Sequence, residues 1–133
     1  MACGIKAELS KPTAEKPDQG YIVPNIILPP MCHPSVKAGP PSSTAQELSV
    51  FIKDVILSSE CLQLTQLCPV MGKVAWVLYI DVLCLDHDGN LRDASIAAVM
   101  AALNSLKLPE VEYDADMDQI VVSKGWLMLY FFL

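Results

Sequence analysis

The sequence predicts a mixed fold in which helices lie over a β-sheet, and three observations carry that expectation. Two segments, Leu48 to Ile56 and Ile96 to Leu103, place apolar residues at helical spacing. One segment, Val74–Leu85, is a near-continuous apolar run of strand-forming residues. A proline- and glycine-rich connection over 29–41 separates early β-favouring residues from the first helix.

The bulk numbers fix the scale. With 133 residues, 53% of them hydrophobic, and a mean hydropathy of +0.39, the chain is one domain or a piece of one, and too apolar to be disordered. Net charge is -6 and the pI about 4.7. Arg92 is the only arginine and the lysines are scattered, so the chain shows no cationic groove of its own for a phosphate backbone. Work on nucleic acid would have to draw positive charge from neighbouring chains. The 5 cysteines are odd in number, show no CxxC spacing and follow no signal-like segment, which reads as reduced intracellular thiols. Cys32 with His33 gives poor metal-ligand spacing, so neither a metal nor another cofactor is expected. The terminal run Trp126–Leu133 is shorter than the roughly 20 apolar residues that cross a bilayer, and no membrane association is expected.

The elements follow in order. Ala2–Leu9 suits a strand, and 11–20, with Pro12, Pro17 and Gly20, a loop. Tyr21–Leu28 favours a strand, but Pro24 confines it to a sheet edge. The first helix has two possible capping boxes, Ser43 with Gln46 or Thr44 with Glu47. Its stripe is Leu48, Phe51, Ile52, Val55 and Ile56, with Gln46, Ser49, Lys53 and Asp54 off it.

Val74–Leu85 reads as a central strand buried on both faces, Trp76, Leu78, Ile80 and Val82 to one side and Val77, Tyr79, Leu83 and Leu85 to the other. Asp81 then needs a hydrogen-bonded, structural place, because a lone buried carboxylate is costly. Asp86-His-Asp88-Gly-Asn90 makes a tight turn, with Gly89 or Asn90 at positive φ and His87 facing solvent. A second helix over about Asp93 to Leu106 has Ile96, Val99, Met100 and Leu103 as its stripe and four alanines for close approach to the sheet; Pro109 ends the element. Val111–Tyr113 and Gln119–Val122 are short strands around an acidic turn. The chain carries no internal repeat, P-loop, Rossmann glycine pattern or Ser/His/Asp constellation.

Eight blocks stand in a familiar order: Cys-Gly-Ile-Lys-Ala-Glu (3–8), Gly-Tyr-Ile-Val-Pro-Asn (20–25), Leu-Pro-Pro-Met-Cys (28–32), Gly-Pro-Pro (39–41), Ala-Trp-Val-Leu-Tyr (75–79), Leu-Asp-His-Asp-Gly-Asn (85–90), Asp-Ala (93–94) and Leu-Pro-Glu-Val (108–111). Together they resemble the RNase PH family, and within it the non-catalytic ring subunits of the eukaryotic exosome. The resemblance implies an α+β fold, the two-layer arrangement of sheet and helices shared with the second domain of ribosomal protein S5. It covers part of that domain: strands preceding residue 1 and the family's second half have no match. The expected division is 1–121 as a partial RNase PH-like domain and 122–133 as an apolar tail foreign to the family, as in a truncated or alternatively spliced product.

The same resemblance bears on chemistry. Phosphorolytic members bind phosphate at a turn resembling Asp-Gly-Gly-Thr-Arg-Thr-Ala, where amides at a helix start meet a hydroxyl and an arginine. Here Asp88-Gly89-Asn90-Leu91-Arg92-Asp93-Ala94 keeps the cation at Arg92, loses the hydroxyl at Leu91 and adds a carboxylate at Asp93. Asp81, Asp86, Asp88, Gly89 and Asp93 are read as structural, Asn90 and Arg92 as the candidate phosphate or RNA contacts, and Arg92 as ion-paired with Asp93 or Asp86. No residue is assigned a catalytic role, since the family's catalytic aspartates lie in the unmatched half.

The implied role is a structural subunit of the exosome ring supporting 3′–5′ RNA processing, with the other ring and cap subunits as partners and RNA met through the assembled complex. rRNA maturation and mRNA turnover would be its settings, and nucleus, nucleolus and cytoplasm its locations. Two alternatives stand: a phosphate-dependent 3′–5′ exoribonuclease subunit sharing a composite site, and a fragment that does not assemble.

Overall fold

The computed structural model describes residues 1–117 and 119–128. Its main sheet has three strands in the order β1–β3–β2, where β1 is Ala2–Ser10, β2 is Tyr21–Ile27 and β3 is Ala75–Leu83. β1 runs antiparallel to β3, with Ala2 opposite Leu83 and Ser10 opposite Ala75. β2 runs parallel to β3, from Tyr21 opposite Val77 to Ile27 opposite Leu83, and Pro24 holds the edge place expected of it. Parallel pairing needs a long crossover. Residues 28–74 supply it, through a proline-rich connector with a 3-10 turn at Pro30–Cys32, helix α1 (Ser43–Ser59) and a second 3-10 turn at Leu64–Leu67.

Strand alternation puts Ile22, Ile26, Trp76, Leu78, Ile80 and Val82 on one buried face. α1 lays Leu48, Ile52 and Ile56 on that face, and α2 (Leu91–Ser105) adds Val99 and Leu103. Each such side chain contributes about 1.5–3 kcal/mol by leaving water. Trp76 stands in this layer with no acceptor for its indole N–H among the described residues. Gly20, just before β2, lies so close that a Cβ there would meet the Leu67 side chain and the Trp76 carbonyl.

β3 is central, but it is not covered on both faces as its apolar run suggests. On the other face Asp81 is exposed, and its neighbours Val23 and Ile27 on β2 are each 43% exposed. Val77, on this same face, is 8% exposed and stands between its register partners Glu8 on β1 and Tyr21 on β2. Asp81 therefore needs no buried partner; it accepts a long 3.5 Å hydrogen bond from the Asn25 amide in an exposed setting.

Both helices start earlier than the sequence suggests. Ser42 caps α1, its Oγ accepting from the Ala45 N–H at 3.2 Å, so Ser43 and Thr44 lie inside the first turn and neither capping box forms. Ser49, expected off the stripe, faces the sheet: its Oγ accepts from the Ile26 N–H at 3.1 Å and donates to the Ala45 carbonyl at 2.9 Å. α2 begins at Leu91 and buries Ser95, which returns a hydrogen bond to the Leu91 carbonyl; Ile96 and Met100 are half-buried.

Pro109 does not end a helix but stands in β4 (Lys107–Asp114), next to a register shift between Pro109 and Val111. β4 pairs with β5 (Gln119–Met128) as an antiparallel hairpin longer than the two short strands expected, and Leu108, 2% exposed, ties it to the core. The expected boundary between 121 and 122 falls within β5. Residues 129–133 of the expected apolar tail, and the side chains of Trp126–Met128, lie outside what the structure describes. Among the described residues no helix is long and apolar enough to cross a membrane.

Candidate functional site

The turn after β3 is built by two backbone ties, one to the end of β2 and one to the connector. The Cys84 N–H donates to the Ile27 carbonyl at 3.0 Å, carrying the β2–β3 pairing one step past the strand, and the His87 N–H donates to the Cys32 carbonyl at 2.9 Å. Asp86 and Asp88, on either side of His87, are exposed. His87 is half-buried rather than solvent-facing: its ring lies 5.4 Å from that of His33, and its Nδ1 accepts from the Gly89 N–H at 3.2 Å. That bond requires an unprotonated Nδ1.

Gly89 and Asn90 both take positive φ, 91° and 48°, so the chain reverses within two residues and enters α2 at Leu91. Asn90 is the N-cap by position, but its side chain caps no N–H. Its Nδ2 donates instead to Asp93 Oδ2 at 2.9 Å. The amide expected to face a phosphate is thereby turned to a carboxylate.

Arg92 is not ion-paired with Asp93 or Asp86. Adjacent helical residues do not face each other, and its guanidinium lies 5.1 Å above the Phe51 ring of α1, a cation–π contact. Among the described residues the one ion pair is Lys6–Glu8, at 2.6 Å on exposed β1. Phe51, on the helical stripe, thus serves as the platform for the only arginine, a pairing that no sequence spacing could reveal.

Arg92, Asn90, Leu91 and His87 border a cavity of about 300 Å³ closed by Thr44, Glu47 and Leu48 of α1. The first turns of both helices converge there, an arrangement whose partial positive charges favour an anion. Glu47 opposes it from the same wall. A carboxylate about 4 Å from a phosphate costs about 1 kcal/mol in bulk water and about 4 kcal/mol at the dielectric of a protein surface. Of the residues singled out in the sequence, the fold brings Asn90, Arg92 and Asp93 to one place, leaves Asp86, Asp88 and Gly89 on the adjoining turn, and puts Asp81 on the open sheet face.

Behind the turn, Cys32 and Cys84 are both buried, and the Cys84 thiol donates to the Asp86 carbonyl at 3.5 Å. Burial pushes the Cys84 thiol above its ordinary pKa, and the neighbouring Cys32 and Asp86 add to the rise. Among the described residues no group of three or more His, Cys, Asp or Glu side chains is arranged to hold a metal ion.

A three-stranded sheet with both helices on one face, and a tight turn leading from its central strand into an arginine-bearing helix, define an RNase PH-type domain. Residues 1–109 match the model of the 3′ exoribonuclease family, domain 1, and the chain belongs to that family. It is 42% identical over 121 residues to the exosome complex component rrp43 of Schizosaccharomyces pombe, a match covering 91% of this chain and 45% of that protein. Against the exosome complex component Rrp42 of Thermococcus gammatolerans the identity is 42% over 118 residues, covering 89% and 43%. Among solved structures, a chain of the Archaeoglobus fulgidus exosome with RNA bound to the active site superposes with a TM-score of 0.77 at 36% identity, covering 80% of this chain and 42% of that one. The chain thus spans less than half the length of the relatives it matches.

Proposed function

We propose that this chain is a non-catalytic, structural part of an RNA exosome core ring, supporting 3′–5′ RNA processing and degradation. The observation that carries the reading is the state of the turn at 88–93. Leu91 offers no hydroxyl, Asn90 is bonded to Asp93, Arg92 is stacked on Phe51, and Glu47 closes the cavity. These groups do not form a phosphate clamp. The relatives, named as components of exosomes, support the same reading, with ring and cap subunits as partners and RNA met through the assembled complex. rRNA maturation and mRNA turnover follow from that role, in nucleus, nucleolus and cytoplasm, and imaging of the tagged chain beside a ring subunit checks the locations.

The test is co-expression with the other ring and cap subunits, followed by size-exclusion chromatography with mass determination. Elution in a stoichiometric ring supports the reading; exclusion from the ring, or aggregation, favours a fragment that does not assemble. One observation favours a second reading, a composite phosphate-dependent site: two helix starts and Arg92 meet at one cavity. In that case phosphate-dependent release of nucleoside diphosphates by the assembled ring disappears with Arg92→Ala. Under the structural reading the rate is unchanged.

A further inference from the structure

The two edges of the main sheet are finished differently. The β2 edge carries Pro24, and its Ile26 N–H is taken up by the Ser49 hydroxyl of α1. β1, the other edge, contains no proline and runs in unbroken register with β3 from Ala2 to Ser10. Among the described residues, none of the backbone hydrogen bonds outside the helices and ladders involves residues 2–10. That leaves a row of N–H and C=O groups along the free side of β1, the template to which another strand adds.

The alternation along β1 decides which strand fits. Cys3, Ile5, Ala7 and Leu9 are half-buried on the helix-covered face, opposite Val82, Ile80, Leu78 and Trp76 of β3. Lys6 and Glu8 stand on the open face as an ion pair, 71% and 47% exposed. Directly opposed residues of an antiparallel pair share a face of the sheet. A second β1 laid against the first therefore pairs about Lys6, Ala7 or Glu8. Centring on Lys6 sets that residue against its own copy, and centring on Glu8 does the same for the carboxylate, so both put like charges in contact. Centring on Ala7 sets Lys6 against Glu8 of the second copy, twice over, and Ile5 against Leu9 on the apolar face. Charge and apolar pairing agree in that register.

We propose that two copies of this chain join through β1, antiparallel and two-fold about Ala7, merging two three-stranded sheets into one continuous sheet. The interface is isologous, so every contact occurs twice and every charge change counts twice. An axis normal to the sheet keeps its faces, and the helices of both copies lie on the same side. Pro12, which has no N–H, falls opposite Ala2 of the second copy and ends the match. The pairing needs neither RNA nor a ring subunit, and the exposed Val23 and Ile27 of β2 take no part in it.

The test is sedimentation velocity of the full chain over a concentration series at low salt, where a monomer–dimer equilibrium is expected. Lys6→Glu alone and Glu8→Lys alone each place two like-charged pairs at the interface, and each is expected to weaken the dimer about tenfold. Mixing the two single variants in equal amounts restores opposite charges across the axis, as does the double variant Lys6→Glu/Glu8→Lys. Both are expected to recover the dissociation constant of the unsubstituted chain, and Ile27→Lys is expected to dimerise as that chain does. A monomer at every concentration, single variants that dimerise unchanged, no recovery in the mixture and the double variant, or a dimer lost with Ile27→Lys would overturn the proposal.

Discussion

Single residues decide how the core meets the turn. An alanine methyl at Gly20 would strike the Leu67 side chain and the Trp76 carbonyl, and a carbonyl held in the central strand cannot step aside. Gly20→Ala is expected to cost about 1–3 kcal/mol, read as a lower urea midpoint at unchanged slope. Gly89→Ala meets open space but must hold a φ of 91°, so its cost of about 1–2 kcal/mol is backbone strain alone. Trp76 offers a contrast. Trp76→Phe removes an orphaned N–H along with some apolar area, and a stability within about 1 kcal/mol of the parent is expected, whereas Trp76→Ala should cost about 3–5 kcal/mol. At this scale the turn was legible in the sequence, because Gly89 and Asn90 are residue types that accept positive φ. The partner of Arg92 was not, since Phe51 comes from another helix and matches the core pattern equally well.

At the scale of elements, two serines of α1 do different work. Ser42 caps a helix end that water can also satisfy, so Ser42→Ala is expected to cost about 1 kcal/mol. Ser49 serves the Ile26 N–H of an edge strand beneath the helix, and Ser49→Ala should cost about 1–3 kcal/mol because that donor is left half-buried without a partner. Paired urea titrations rank the two, and a larger loss at Ser42 would refute the role given to Ser49. The order of strands and helices was readable from periodicity and from proline placement. What periodicity could not supply was the side of the sheet on which each helix lies. β3 is apolar on both sides in sequence, so its pattern does not tell a face covered by helices from one on which only neighbouring strands crowd it. The hairpin was underestimated for a related reason: Pro109 reads as a stop signal, yet the shift in register beside it lets β4 continue.

For the molecule as a whole, the uncovered sheet face is one exposed apolar surface whose effect can be tested. Val23 and Ile27 stand there at 43% exposure each beside Tyr79 and Leu83, and such patches favour association. Ile27→Lys is expected to leave the thermal transition nearly in place, within about 0.5 kcal/mol, while reducing light scattering of the concentrated chain; unchanged scattering would point to another sticky surface. The register of β1 sets a different demand, on synthesis. Ala2 pairs with Leu83, and β2 also waits for β3, which lies between them. A ribosome adding roughly 5–20 residues per second needs roughly 3–11 s to pass from Ile27, the end of β2, to Leu83. Throughout that interval two finished strands travel without their common neighbour, and the nascent chain is a client for whatever chaperone meets it at the tunnel exit.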